Sequence, residues 1–282
     1  MKKFMKYEIK GTYKFILGLL AIIILASSII QFNILNQVNN MGSDQSSLLA
    51  FLVLLSVLVL FGAFIVLLFY LINSFRKELY EDRGYLTFTL PLTGNQIVGS
   101  KMIIAIMWSG VVGFVTVAYN AILYLILFSN EYMNEIASGI LAEININFFV
   151  ALFTSLVSSI VTILIIYFSI SLSKVSIKNK KIGGFWFILF LIISGAANYI
   201  TNLLGNILPY YLNLETLKIA TIGNVQEALN VGMLQFSFGM NNSAFSAVFP
   251  GYLNIPSFIG QILFGVLFFI GTGYLLEKRI EL

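Results

Sequence analysis

Six long apolar runs alternate with short polar intervals along this chain: Phe15–Phe32, Leu48–Ile72, Met102–Phe128, Ile144–Leu172, Ile182–Leu204 and Ser257–Leu276. Each comes close to or exceeds the roughly 20 residues an α-helix needs to cross the hydrocarbon of a bilayer. The runs are apolar all round rather than along one stripe, the pattern of helices whose outer faces meet lipid. Gly183, Gly184 and Asn198 make the fifth run the weakest of the set. The pattern predicts an all-α polytopic membrane protein, with residues 1–282 forming a single transmembrane domain of six helices.

The polar intervals differ in character. Residues 1–14 place Lys2, Lys6, Lys10 and Lys14 at helical spacing beside an apolar stripe of Met5, Ile9 and Tyr13. That pattern predicts an amphipathic elbow helix lying in the membrane interface, its lysines turned to anionic headgroups. The basic leader also suits a signal sequence. The following run is longer than a usual signal core and lacks a small-residue cleavage site, so it is expected to stay as the first span. Residues 33–47 and the acidic 129–143 read as solvated connections. The basic SKVSIKNKK stretch after the fourth span suits anionic lipid or a second contact with a partner. Gly205–Pro256 is too long and too apolar for a plain loop, and an extracellular or re-entrant segment of short helices on or dipping into the outer leaflet, serving as an outer gate or a structural cap, is expected there.

Composition and charge sharpen this picture. The chain is 59% hydrophobic and 10% charged, with no cysteine and no histidine. Disulfide and thiol chemistry are therefore absent. With the N-terminus placed in the cytoplasm, every Lys and Arg except Lys218 falls on the cytoplasmic side. The positive-inside rule thus predicts cytoplasmic N- and C-termini. The net charge of +4 is a topology signal and not a nucleic-acid footprint. None of the six runs contains an ionisable side chain. Proton relays and metal-dependent intramembrane chemistry need such groups, so neither is expected. Gly94–Lys101, GNQIVGSK, imitates a phosphate-binding loop. Its Ser100 and Lys101 stand in reversed order and no buried strand leads into it, so no nucleotide site is expected on this chain.

The interval from 73 to 101 has internal order unusual for a connection. The second helix is expected to continue past the headgroups through Phe75–Asp82 with a wet, mixed-charge surface. Gly84 turns the chain, and the apolar Tyr85–Leu90 stretch is closed by Pro91, which biases Leu90 away from helix. Thr93-Gly94-Asn95-Gln96 then matches a Thr-x-x-Gln capping box that starts the third helix.

The run Gly84–Ile104, GYLTFTLPLTGNQIVGSKMII, following Glu78, Glu81 and Asp82, resembles the first cytoplasmic loop of ABC-2-type permeases. These are membrane subunits of bacterial ABC exporters, including those that handle bacitracin, lantibiotics and other membrane-active peptides. The similarity covers about 30 residues, while the six-span layout agrees over the whole chain. It implies a cytoplasmic coupling helix between spans 2 and 3 that docks on a separate ABC ATPase. The coupling residues would be Glu78, Glu81, Asp82, Arg83, Gly84, Tyr85, Leu86, Thr87, Phe88, Leu90 and Pro91. It further implies a second permease subunit, identical or homologous, and a bacterial cell membrane. ATP and magnesium would sit on the partner, so this chain would bind no cofactor and be no enzyme. The expected activity is ATP-driven export of an amphipathic or hydrophobic cargo such as an antimicrobial peptide.

Uncharged polar residues in the spans are candidates for a translocation path: Gln31, Asn120, Ser155, Ser159, Asn198 and Asn202. Around them lie Ser27 and Ser28 in the first span, Thr116 and Tyr119 in the third, and Ser158 and Thr162 in the fourth. Hydroxyls in membrane helices commonly serve close packing, whereas Asn and Gln are costlier to leave unpaired in lipid. Two rival readings remain: a self-contained ion-coupled carrier, which would show inverted repeats with broken helices, and a non-transporting scaffold or sensor.

Overall fold

The computed structural model of the chain describes residues 1–39, 47–81, 91–127, 146–176, 184–208, 210–213, 218–220 and 252–278. Among these, six helices are long and apolar enough to cross a membrane. They are α1 (Lys2–Asn39), α2 (Ser47–Tyr80), α3 (Gly94–Leu127), α4 (Ile146–Ser176), α5 (Phe185–Ile207) and α6 (Ile255–Lys278). Three short strands, β1 (Tyr211–Asn213), β2 (Ile219–Ala220) and β3 (Tyr252–Asn254), complete the described elements. The chain divides into two compact units, residues 1–138 and 139–281.

In the first unit α1 is the central helix, packed along both α2 and α3. Thr12, Ile16, Leu19, Ile23, Ala26 and Ser27 bury one stripe of it, at the three- and four-residue steps that keep side chains on one helical face. Phe15 stacks on Tyr70 of α2 with ring centroids 3.9 Å apart. The outward faces are apolar: Phe114, Val117 and Ile126 of α3 are 74%, 71% and 72% exposed. Apolar surface on that scale suits lipid, not water.

The elbow expected over residues 1–14 is not a separate element. That stretch continues without interruption into the apolar run, giving one helix of 38 residues, about 57 Å long at the standard helical rise. Its side chains explain why. Glu8 pairs with Lys101, and Thr12 Oγ1 accepts a hydrogen bond from Trp108 Nε1 at 2.9 Å. Both hold the segment against α3.

The second unit packs α4, α5 and α6 mutually. Glycines set how closely they meet. A β-carbon at Gly265 would lie 3.0 Å from Val161 Cγ2, and one at Gly260 would lie 3.1 Å from Leu204 Cδ1. The strands form an antiparallel sheet in the order β2-β1-β3 between the end of α5 and the start of α6. The same tripeptide, Tyr-Leu-Asn, forms both β1 and β3, with Leu212 opposite Leu253. Asn254 closes β3 and caps α6, its Oδ1 accepting from the Ser257 N–H at 3.0 Å, while Pro256 is tolerated in the first turn, where a missing N–H costs little. Where helices were expected between Gly205 and Pro256, the described residues beyond the end of α5 pair as strands. The β-favouring Tyr, Leu and Ile satisfy their backbones across the sheet instead. Residues 221–251 lie outside the described residues.

Candidate functional site

The charged residues at the junction of α2 and α3 come together in the first unit. The capping box forms as read: Gln96 N–H donates to Thr93 Oγ1 and Thr93 N–H donates to Gln96 Oε1, both at 3.3 Å. Gly94–Lys101 is thereby the opening of a helix. Two turns on, Lys101 is 3% exposed. Its Nζ stands 2.9 Å from both Glu8 Oε2 and Glu78 Oε1. It also donates to Ser74 O at 3.3 Å and Ser74 Oγ at 3.2 Å, and lies 5.7 Å from the centre of the Phe4 ring. One lysine thus ties three helices together.

This changes the reading of two positions. Glu78 was expected on a wet surface, but it is buried and turned into the unit, because the packing of α1 and α3 against α2 covers that face. The apolar runs hold no ionisable group, yet the helices extend beyond those runs. Glu8, Glu78 and Lys101 meet in the extensions, beside a cavity of about 190 Å³ also lined by Tyr7, Thr12, Asn73 and Lys77. Of the remaining coupling candidates, Glu81 and Pro91 flank the island at its exposed edges. Asp82, Arg83, Gly84, Tyr85, Leu86, Thr87, Phe88 and Leu90 lie outside the described residues.

A second polar cluster joins α1 to α3. Ser28 Oγ and Tyr119 OH share a hydrogen bond of 2.7 Å. Asn120 Nδ2 donates to Ser27 Oγ at 3.2 Å and to Thr116 O at 2.8 Å, and its Oδ1 accepts from Gln31 Nε2 at 3.4 Å. Gln31 and Asn120, both candidates for a path, therefore satisfy one another, which is how an amide becomes affordable inside a membrane bundle.

In the second unit a cavity of about 510 Å³ opens between α4, α5 and α6. Asn198 and Asn202 both line it, and so do Ser158 and Thr162 of α4. Ser155 and Ser159, expected on the same path, do not. Their hydroxyls donate to Leu152 O and Ser155 O of their own helix, both at 2.8 Å, and both side chains are exposed. Of the fourth-span stripe, only the half facing α5 and α6 reaches the cavity. Sequence reasoning missed Gln261, whose Nε2 donates to Ser158 Oγ at 2.9 Å, and Asn254 and Ser257 at the sheet end. Gln261 carried a signal, a lone carboxamide within the sixth apolar run; Asn254 did not, because its place depends on β1 pairing with β3.

Six apolar helices, uncharged polar clusters between them and extensive exposed hydrocarbon surface define a multi-pass, all-α membrane protein. No family model matches the chain, and no curated protein or solved structure matches it either.

Proposed function

We propose that this chain is the transmembrane subunit of an ATP-driven exporter of the ABC-2 type, half of a permease dimer in a bacterial cell membrane, served by a separate ABC ATPase. The observation that carries the reading is the sequence of the 73–101 interval together with the contact between its described flanks. Its sequence resembles that family's coupling loop, and its flanks, the end of α2 and the capped start of α3, are tied together by Glu78 and Lys101 at 2.9 Å. A coupling helix between such flanks would deliver the push of a closing ATPase pair to α1, α2 and α3 together, since Lys101 also holds Glu8 of α1. The charge asymmetry supports a cytoplasmic side for both termini and the 73–101 interval, the side on which an ATPase partner would dock. Cargo would be amphipathic or hydrophobic.

The test is co-purification from the native membrane. Leu86→Asp with Phe88→Asp places unpaired charge in the docking stretch, where a tight contact would have to bury it. The double variant should insert normally but lose its ATPase. Retention of the ATPase and of export would exclude this stretch as the docking element.

One observation favours a second reading, an ion-coupled carrier. Two carboxylates, Glu78 buried and Glu8 half-buried, meet a single lysine beside a polar cavity, a charge cluster of the kind that marks ion paths in membrane bundles. The dependence of transport on ATP separates the two readings.

A further inference from the structure

The cavity of the second unit has a polarity that none of the preceding argument uses. Among the described residues its lining contains Ser, Thr, Asn and Gln side chains but no charged residue. Away from the sheet its lining is apolar, with Ile165, Phe190 and Phe264. Its other end, beside the sheet, carries Asn202, Asn254 and Ser257. From Ser257 to Phe264 the helical rise gives a depth of about 10 Å.

The carboxamides of Asn198 and Asn202 line this space and make no side-chain hydrogen bond to any described residue. Gln261 spends one N–H on Ser158, which leaves its second N–H and its carbonyl oxygen open. The hydroxyls of Thr154, Thr162 and Ser194 donate to carbonyls of their own helices, so they offer acceptor lone pairs to the cavity. A helix that faces lipid gains nothing from such groups, and leaving amides unpaired there is costly. The volume lies within the range typical of small-molecule sites.

We propose that this cavity binds a neutral amphiphile: an uncharged head with hydrogen-bond donors and acceptors held by Asn198, Asn202 and Gln261, and a hydrocarbon tail against Phe190 and Phe264. A charged headgroup would be disfavoured, since no lining residue among those described balances it. The assignment deepens the export reading by naming a cargo class and rests on that reading only in calling the ligand cargo. Binding itself needs no ATPase, so the two ideas fail separately.

The test uses the purified full chain in phosphatidylcholine nanodiscs and two photoactivatable probes with identical acyl chains, a diacylglycerol and a phosphatidic acid. The diacylglycerol should label peptides from 154–165, 190–202 and 257–264, be competed by unlabelled diacylglycerol, and exceed the phosphatidic acid by about tenfold, the equivalent of one or two hydrogen bonds. Asn198→Leu with Asn202→Leu should reduce labelling by a similar factor, and Tyr199→Leu, on the exposed side of the same helix, should leave it unchanged. Equal labelling by both probes, or labelling confined to outward-facing residues, would overturn the assignment. So would undiminished labelling in a folded double variant. If that variant does not fold, the two-probe comparison on the unmodified chain still decides. Specific labelling in a chain that brings down no ATPase would leave the site standing and remove the export reading alone.

Discussion

Lys101 Nζ stands 2.9 Å from Glu78 Oε1 across 23 residues of sequence, joining the first turns of α3 to the last turns of α2. Glu8 meets the same ammonium at the same distance from α1. Burying three charges is expensive, and the geometry recovers that cost only because every proton on the ammonium finds an oxygen or a ring. The arrangement specifies the register of three helices that apolar packing alone would let slide past one another.

Lys101→Met should therefore destabilise the first unit by about 3–5 kcal/mol, since it leaves the buried Glu78 carboxylate without its partner. Glu8→Gln should cost much less, because the better-buried Glu78–Lys101 pair remains. Thermal melts of the detergent-solubilised chain rank the two. A Glu8→Gln variant as unstable as Lys101→Met would show that the lysine does not act as the common tie.

Asn120→Leu should cost about 1–2 kcal/mol, on the scale of interhelical hydrogen bonds measured in membrane bundles. It removes the contacts to Ser27 and Gln31 that align α1 with α3. Gln31→Leu combined with Asn120→Leu should cost less than the two changes summed, because the second removes the partner left orphaned by the first. Strict additivity in that double-mutant cycle would mean the two amides are not coupled.

Gly205→Ala should destabilise the second unit by about 1–3 kcal/mol, the usual cost of overpacking. A β-carbon there would collide with Ser257 Oγ and crowd Asn254, whose Nδ2 would be 2.8 Å away. The collision would also disturb the cap of α6. Gly195→Ala, in the same helix with nothing within 4 Å, should be neutral or stabilise by up to about 1 kcal/mol. Equal effects at the two sites would contradict the close approach of α5 and α6.

Transport in sealed vesicles should require ATP and survive collapse of proton and sodium gradients. The apolar runs carry no ionisable residue, so no chain of titratable groups crosses them. Uptake driven by an imposed gradient without ATP, lost in Glu8→Gln or Glu78→Gln, would instead select the carrier reading.

The six helices and the start of α3 were legible in the sequence because each rests on local physics. Apolar runs of bilayer length need their backbones satisfied internally, and Thr93 and Gln96 can complete their capping box within one turn. Gln31, Asn120, Asn198 and Asn202 were legible as residues requiring polar surroundings. What those surroundings are was not: Gln31 and Asn120 face each other, while Asn198 and Asn202 face a cavity.

Sequence by itself determined that this chain is an all-α, multi-pass membrane protein with a charged, glycine- and proline-punctuated interval between its second and third spans. Only the tertiary structure decided that residues 1–14 extend the first helix, that Glu78 is buried, that Ser155 and Ser159 turn away from the cavity, and that Tyr211–Asn213 pairs with Tyr252–Asn254. Each of these depends on which helix or strand lies beside a given residue. A hydrophobic run specifies burial in lipid on every side equally, so it leaves open which of its faces will meet protein.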